Sequence, residues 1–396
     1  MKKIFYFIIS FVSLTVLFTD CTKAADKREV SISFIGDVIM HIPVKTCARV
    51  HNIIDPETKK SLNNEGFDFL FDMIRSRLSS SDLTLANMEF PVAAPYTSKP
   101  FIFNCEPGIV PAMKKAGISA VTIANNHILD QGQDGAISTI ELLKANDISY
   151  IGVGLTADEA KAGMLFTEKE ISVGLLAATG VLNWPIPKKE TVFINLFYNE
   201  ERMIEQITAM KQKSEYIILV VHTGVEYLPM PEEKDRALMK KYLDAGVDLI
   251  IGHHPHITQP IETYTTIDGR ETCIFYSLGN FISNQSSDVR FPPGKSRIST
   301  RNGFIVTAKL KINTEDGKDI LNAEFDIIHV KTVNERETVT RKRRIQTEEF
   351  AETETKPPVY VLTETILNGK PNKSVEVLDK KIVTKKTYIK KAITKE

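Results

Sequence analysis

The chain has 396 residues, with 50 lysines and arginines against 50 aspartates and glutamates, so its formal net charge is zero. This balance creates no overall attraction to nucleic acid or to an anionic membrane, and no nucleic-acid partner is expected. Hydrophobic residues make up 42% of the chain. That content and this length fit one large α/β domain with an appendage, or two domains.

The first 24 residues have the pattern of a signal peptide. Two lysines precede an uncharged apolar run over residues 4–18, and the sequence then becomes polar. The run is too short to span a bilayer comfortably. Two exits remain open, lipidation of Cys21, which would make a membrane-anchored lipoprotein, or cleavage after Ala24. Both predict export to the cell envelope or periplasm.

Short apolar runs alternate with amphipathic stretches from residue 30 to about residue 281. The apolar runs predict strands over 31–35, 83–86, 120–124, 171–177, 217–221, 249–251 and 274–276. The amphipathic stretches predict helices over 67–78, 108–116, 135–145, 203–213 and 234–245. This alternation indicates a largely parallel or mixed sheet flanked by helices.

The character of the chain changes after residue 284. Residues 285–301 are polar and contain Pro292-Pro293-Gly294, which is typical of a loop or lid. Residues 304–312 and 323–331 alternate as two strands, and they predict a hairpin that completes the core. From residue 333 to 396 charged residues and threonines are dense, so a weakly ordered charged tail is expected.

The sharpest chemical signal is a histidine cluster, Gly252-His253-His254-Pro255-His256, directly after an apolar run. Neutral imidazoles bind divalent metals, and a strand that ends at the cluster would fix their positions. Polar segments follow four other predicted strands: Gly36-Asp37, Asn87-Met88-Glu89, Asn125-Asn126-His127 and His222 to Glu226. The loops after the strands of an α/β fold form its binding crevice, so the five segments are predicted to converge.

The predicted site combines oxygen ligands from the first half of the chain with imidazoles from the second half. Such a shell suits one or two ions of Zn, Mn or Fe, and it is too rich in nitrogen for a dedicated Ca or Mg site. The sequence contains no glycine-rich phosphate loop of the Gly-Lys-Ser/Thr type. This argues against a nucleotide-driven ligase.

Six segments in order resemble the motifs of the CapA family of poly-γ-glutamate capsule-synthesis proteins. They are Phe34 to Met40, Leu85 to Pro91, Ala124 to Gly132, Val221 to Tyr227, Gly252 to His256 and Tyr276 to Phe281. The resemblance covers about residues 30–284, and the family is similar to calcineurin-like metallophosphoesterases. It therefore implies an α/β fold of the α+β type, a four-layer αββα sandwich, here with a C-terminal hairpin and a charged tail.

The resemblance also implies a set of metal ligands. They are Asp37, Glu89, Asn126, His222, His254 and His256, with Asn87 as the alternative to Glu89. Phosphoesterases carry Asp-x-His in the first motif, whereas Val38 and Ile39 follow Asp37 here. Either His41 supplies the missing ligand from a longer turn, or the site holds a single metal.

Three further residues receive roles. His127 is expected to protonate the leaving group as a general acid, while the metal polarises a phosphoryl or carbonyl oxygen and activates water. Glu226 is expected to orient His222, because ligating imidazoles commonly donate their other N–H to an acceptor. Asn280 is expected to contact an anionic substrate or to stabilise its turn.

The resemblance implies an exported, phosphoesterase-like metal-dependent hydrolase that acts in synthesis, export or anchoring of an anionic capsule polymer. Its partners would be that polymer or a phosphorylated small substrate, together with membrane synthase subunits. Two other functions remain open, a non-catalytic accessory subunit of a polymer synthase and a general periplasmic phosphodiesterase.

Overall fold

The computed structural model describes residues 28–285, 289–290, 297–298, 300–315, 318–334, 360–364 and 382–387. The strands in these ranges are β1 (Glu29–Val38), β2 (Leu83–Met88), β3 (Ala120–Thr122), β4 (Ser149–Ile151), β5 (Val153–Gly154), β6 (Met164–Glu168), β7 (Ile171–Thr179), β8 (Phe193–Ile194), β9 (Tyr216–His222), β10 (Leu249–His253), β11 (Ile261–Thr265), β12 (Glu271–Phe275), β13 (Asn280–Ile282), β14 (Val289–Arg290), β15 (Arg297–Ile298), β16 (Asn302–Glu315), β17 (Lys318–Asn334), β18 (Tyr360–Glu364) and β19 (Ile382–Thr387). The helices are α1 (Ile42–Val50), α2 (Arg75–Leu78), α3 (Ile109–Lys115), α4 (Gly132–Ala145), α5 (Ala157–Ala162), α6 (Glu200–Lys211) and α7 (Glu233–Ala245), with a 3₁₀ helix at Asn64–Leu70. The predicted signal peptide lies outside the described residues, and none of the described helices is long and apolar enough to cross a membrane.

Two large sheets form the centre of the molecule. The first has the order β18-β17-β16-β1-β2-β3-β4, with β13 paired to β1 and β19 paired to β17. Strands β1 to β4 of this sheet are parallel, and β16 and β17 pair antiparallel beside β1. The second sheet has the order β11-β12-β10-β9-β7-β6, with β7, β9, β10 and β12 parallel.

Three apolar clusters separate four layers. One fills the space between α1, α3, α4 and the outer face of the first sheet, and another lies between the second sheet and helices α6 and α7. The third joins the two sheets, where Phe34, Phe275 and Phe304 are almost fully buried. The fold is therefore an αββα sandwich, as expected for a metallophosphoesterase-like α/β protein.

The predicted strands all occur, and so does the antiparallel hairpin of β16 and β17. The helix predicted over 67–78 is wrong in type, because a 3₁₀ helix, turns and the short α2 occupy that range. Its apolar residues still face the core at intervals of three to four, which both kinds of helix allow. Helix α1 was not predicted, although a proline stands in its first turn, where proline is well accommodated.

Two segments of the predicted tail contribute strands to the first sheet. β18 pairs with residues 330–334 of β17, and β19 pairs with residues 320–325. The other residues of the tail lie outside the described ranges. In the predicted loop or lid over 285–301, β14 and β15 pair with each other.

Candidate metal centre

The carboxyl ends of the parallel strands bring the predicted site residues together. Asp37 in β1 is in register with Asn87 of β2 and with Asn280 of β13, and His222 at the end of β9 is in register with His253 at the end of β10. The residues of the site that are buried are Asp37, Asn87, Glu89, Asn126, His127, His222, His253, His254, His256 and Asn280. The edges of the two sheets thus meet in one polar cluster inside the protein.

Two glycines let the backbone close around this cluster. A Cβ on Gly36 would lie 2.0 Å from the carbonyl oxygen of Gly279, and a Cβ on Gly252 would lie 2.0 Å from that of Tyr276. Any side chain at either position would collide with backbone. These glycines place Asp37 and His253 in the centre.

The Asp37 carboxylate orients two histidines. Its Oδ1 lies 3.0 Å from His253 Nδ1, and its Oδ2 lies 3.1 Å from His256 Nδ1. Burial by itself would raise the pKa of the Asp37 carboxyl, but the hydrogen bonds from the two histidines outweigh burial, and the pKa lies well below its ordinary value. Both imidazoles therefore carry their hydrogen on Nδ1, which leaves a lone pair on Nε2.

Asn280 also accepts from His256. Its Oδ1 lies 3.1 Å from His256 Nδ1, while its Nδ2 donates to Gln285 and to the Thr300 carbonyl. The side chain is thus fixed on both sides. Asn280 therefore orients the predicted ligand His256, in addition to any role in its turn.

Glu89 lies at the middle of the cluster. Its Oε1 is 3.7 Å from His256 Nε2, 3.9 Å from His222 Nε2 and 4.0 Å from His127 Nε2. Within the described part of the chain this buried oxygen has no hydrogen-bond partner. Burial raises the pKa of the Glu89 carboxyl well above its ordinary value, and the charges of Asp37 and Glu226 add to that effect.

Asn87 supports Glu89 instead of replacing it. Its Nδ2 donates to Asp37 Oδ1 at 2.8 Å and to Glu89 Oε2 at 3.2 Å, and its Oδ1 accepts from Asn125. The amide oxygen is therefore already occupied. Of the two residues left open as ligands, Glu89 is the one whose oxygen faces the imidazoles.

Asn126 and His222 meet across the two sheets. Asn126 Oδ1 lies 2.9 Å from His222 Nε2, and burial lowers the pKa of His222 well below its ordinary value. Neutral imidazole is the form that binds metals. Asn126 and His222 would thus be neighbouring ligands of a divalent ion.

His127 is held by residues that the sequence analysis did not single out. Its Nδ1 lies 2.7 Å from Asp130 Oδ2, and Asp130 Oδ1 accepts from Trp184 Nε1 at 2.9 Å. Asn183 Nδ2 lies 3.4 Å from His127 Nε2. The spacing of three residues between His127 and Asp130 could have suggested that the two side chains meet. No signal near His127 in the sequence predicts the contacts of Asn183 or Trp184.

Glu226 lies beside the histidine cluster. Its Oε1 is 4.0 Å from His256 Nε2, and its ligand atoms group with those of His254 and His256 within 4.8 Å. The nitrogens of His222 instead face Asn87 and Asn126. The expectation that Glu226 orients His222 is therefore wrong, because the loop after β9 carries this carboxylate past His222 to His256.

His41 is turned away from the ligand set. Its Nδ1 accepts from the backbone N–H of Asn284 at 3.2 Å, and its ring packs edge-on against Phe103. Burial lowers the pKa of His41 to about 3, so the ring is neutral at ordinary pH. The backbone thus occupies Nδ1 of His41, and neither group of possible ligands among the described residues includes this histidine.

The donors of the cluster fit a divalent ion. Ligand atoms of Asp37, Glu89 and His222 lie within 4.8 Å of one another, and those of Glu226, His254 and His256 do the same. Glu89 Oε1, His253 Nε2 and His254 Nδ1 are buried without a hydrogen-bond partner among the residues described. Such orphaned donors and acceptors are costly unless a cation completes them. Carboxylate and imidazole together suit Zn, Mn or Fe.

The fold and this centre agree with the comparisons to known proteins. The family model described as "Bacterial capsule synthesis protein PGA_cap" matches residues 31–285, well over half of the chain. The protein therefore belongs to the bacterial capsule synthesis family that includes CapA. All the site residues lie inside the matched range.

Curated relatives carry names consistent with this family. The chain is 28% identical over 274 residues to the capsule biosynthesis protein CapA of Bacillus anthracis, a match that covers 66% of this chain and 62% of that protein. It is 27% identical over 272 residues to the PGA biosynthesis protein CapA of Bacillus subtilis, with 67% of each chain covered. A relative from Mycobacterium tuberculosis is described as a probable polyglutamine synthesis accessory protein; it is 27% identical, with 52% of this chain and 57% of that one covered. The match thus spans less than two thirds of the B. anthracis protein.

Proposed function

We propose that this protein is an exported metal-dependent hydrolase of the phosphoesterase type that acts in the synthesis, export or anchoring of an anionic capsule polymer, poly-γ-glutamate or a similar one. The names of the relatives support the polymer. One observation carries the chemistry: Glu89 Oε1 is buried and orphaned within the described residues, with three imidazole Nε2 atoms 3.7 to 4.0 Å away. Such an arrangement holds a cation.

The residues around His127 prepare it to move a proton. A divalent ion in the centre supplies Lewis acidity toward a phosphoryl or carbonyl oxygen. His127 donates its Nδ1 hydrogen to Asp130, so that Nε2 faces the centre at 4.0 Å from Glu89 Oε1. From there a protonated Nε2 delivers its proton to the leaving group. Asp130 positions the ring.

The segment after β7 closes the site over His127. The Asn183 N–H donates to the Asn126 carbonyl at 3.1 Å, and Trp184 is bonded to Asp130. Phe103 packs on the His127 ring with centroids 4.1 Å apart. These contacts keep bulk water from His127, which strengthens the electrostatic interactions in the centre.

A cavity lies between the segment after β7 and the start of α6. Its volume is about 670 Å³, and its lining includes Thr179, Gly180 and Tyr198. The Gly180 N–H and the Thr179 hydroxyl both donate to the His222 carbonyl, at 2.9 and 3.2 Å. Glu200 and Glu201 also line the cavity, and none of its lining residues in the described part of the chain belongs to the metal centre. Its charge therefore does not favour an anionic substrate.

The test is metal content together with phosphodiester hydrolysis. Wild type should bind at least one Zn, Mn or Fe per chain and hydrolyse bis(p-nitrophenyl) phosphate. The double variant His222→Ala, His256→Ala should lose both, while His127→Ala should keep its metal and lose turnover about 100-fold or more. Equal, low metal in wild type and double variant, even after reconstitution, would overturn the proposal.

A non-catalytic role remains the alternative, because the mycobacterial relative is described as an accessory protein. Under this alternative the metal has a structural role, and the protein binds polymer or membrane synthase subunits. Metal binding without turnover, combined with capture of synthase subunits from solubilised membranes by wild type and by His127→Ala alike, would favour it.

Export is tested separately. We propose that residues 1–24 direct the protein to the envelope, where either a lipid on Cys21 holds it to the membrane or cleavage after Ala24 releases it. Replacement of Cys21 by Ala should release the protein from the membrane fraction if lipid is the anchor. Retention of the variant in that fraction would contradict lipidation.

A further inference from the structure

We propose that Glu226 is a metal ligand that takes the place of the histidine missing from the first motif. With His254 and His256 it forms a second ion position beside the one built from Asp37, Glu89 and His222. This inference rests on the proposed metal-dependent function and specifies how many ions the centre holds and which residue holds the outer one.

The group of Asp37, Glu89 and His222 lies next to the group of Glu226, His254 and His256. His256 Nε2 lies 3.7 Å from Glu89 Oε1 on one side and 4.0 Å from Glu226 Oε1 on the other. Each group of three brings its ligand atoms within 4.8 Å of one another. Glu89 Oε1 therefore lies where a carboxylate oxygen can serve both positions, as in two-metal sites whose ions are about 4 Å apart.

His254 supplies independent support. Its ring is buried, and its Nδ1 has no hydrogen-bond partner in the described part of the structure. A buried polar atom without a partner is destabilising. His254 belongs to the same group of possible ligands as the Glu226 carboxylate, and a cation held by that group would be bound by both residues.

The backbone aims Glu226 at this position. The Tyr227 N–H donates to the Pro255 carbonyl at 2.9 Å and ties the loop after β9 to the histidine turn. Tyr227, His254 and His256 all have positive φ, 62°, 98° and 58°. Residues with side chains adopt this conformation at a cost, and it is concentrated at functional sites. The two loops that carry these residues meet here, and Glu226 Oε1 lies 4.0 Å from His256 Nε2.

The charge of the centre favours two ions. Asp37, Glu89 and Glu226 each add a negative charge when ionised, and within the described ranges none of them pairs with Lys or Arg. One divalent ion would leave the three carboxylates with a net charge of −1, which repels an anionic substrate. Two would leave +1, which attracts it.

The two positions differ in exposure. The side chains of Asp37 and Glu89 are 0% exposed, whereas that of Glu226 is 45% exposed. The inner position is therefore enclosed, and the outer one opens to solvent. We expect the outer ion to bind more weakly, because water competes for an exposed site and the inner carboxylates are fixed by neighbours.

The experiment is a Mn²⁺ titration of the chelator-stripped full chain, with bound metal measured by equilibrium dialysis and spin coupling followed by electron paramagnetic resonance. Glu226→Gln removes the charge and keeps the shape, and His41→Gln is the matched control at the rival position. Wild type and His41→Gln should bind two ions with a coupled signal at saturation. Glu226→Gln should keep the inner ion, bind the outer one at least tenfold more weakly and show the uncoupled signal.

Each result separates this inference from the proposed function. Two ions of unchanged affinity in Glu226→Gln would overturn the role of Glu226, and a single ion in wild type would overturn the second position while leaving a metal-dependent hydrolase intact. No bound ion in wild type would overturn the proposed function itself. Equal far-ultraviolet circular dichroism and melting temperature of the stripped proteins would show that Glu226→Gln is folded.

Discussion

The two sheets contribute different chemistry to the same centre. The ends of β1, β2 and β3 carry oxygen donors, Asp37, Glu89 and Asn126, and the ends of β9 and β10 carry imidazoles, His222, His254 and His256. Each set has its own internal supports, such as the Asn87 amide between Asp37 and Glu89. The contacts that define the centre, however, run from one set to the other: Asp37 to His253 and His256, and Asn126 to His222.

Because the oxygen donors come from one sheet and the imidazoles from the other, neither sheet forms the metal centre by itself. The apolar layer between the sheets sets the distance between the oxygen donors and the imidazoles, since packed interiors transmit even small changes in volume. Phe275 in the second sheet and Phe325 in the first contact each other in this layer, with ring centroids 5.6 Å apart. Disturbing the layer should therefore change stability and metal affinity together.

The largest effect is expected from Phe275→Ala. The ring is 1% exposed, and its loss would leave a cavity between the sheets that lowers the free energy of unfolding by about 3–5 kcal/mol. Chemical denaturation measures this, and the metal affinity of the folded fraction should fall as well. Ile267→Ala is the control, because Ile267 is 84% exposed and its loss should change stability by less than about 0.5 kcal/mol. A loss of stability with unchanged metal affinity would show that the layer does not set the donor distances.

Asp37→Asn should weaken metal binding about 10- to 100-fold. The carboxylate accepts from His253 and His256 at once, whereas an amide has only one oxygen and presents N–H to the second ring. Asn280→Ala is the matched comparison, because Asn280 touches only one of these histidines and its removal should cost less. Isothermal titration with Zn²⁺ or Mn²⁺ compares the two, and a larger loss in Asn280→Ala would contradict the role given to Asp37.

The same contrast explains what the sequence predicts. A polar residue directly after an apolar run is a local signal, and it correctly identified the strand ends from Asp37 to His256. The direction in which each side chain points, by contrast, depends on residues that are distant in the sequence. Glu226 lies beside His256 where two loops meet, and Tyr227, His254 and His256 in these loops all have positive φ. No periodicity in the sequence encodes those angles. The orientation of His41 is likewise not a local property, since its partner Asn284 is distant in sequence.

His41→Gln should reduce the sensitivity of the metal-free protein to acid. Burial, with a smaller effect from His256 and His127, lowers the pKa of His41 from 6.5 to about 3. Between these values the unfolded chain binds a proton that the folded chain excludes, so stability falls as the pH falls from about 6.5 toward 3. The variant should lose part of this slope in denaturation series across that range. Part should remain, because burial also lowers the pKa of His254 to about 3. An unchanged slope would mean that His41 is protonated without unfolding.

The smallest effect is expected from Glu262→Gln, which tests the second sheet away from the centre. Glu262 on β11 accepts from Arg236 of α7 at 2.8 and 3.0 Å and from the Tyr276 hydroxyl at 2.7 Å. The bonds from Arg236 are the main reason that the pKa of Glu262 falls to about 2. Because the folded-state pKa lies below the ordinary value of 4.5, this stabilisation is present above about pH 4.5 and is lost as the pH falls toward 2. The pair is partly exposed and screened by solvent, so we expect the variant to lose about 1 kcal/mol at pH 7 and nothing at pH 2. The metal affinity of the variant should equal that of wild type, since the contact between Glu262 and α7 lies outside the layer between the sheets. A weaker metal affinity would show that the outer helices also influence the metal centre.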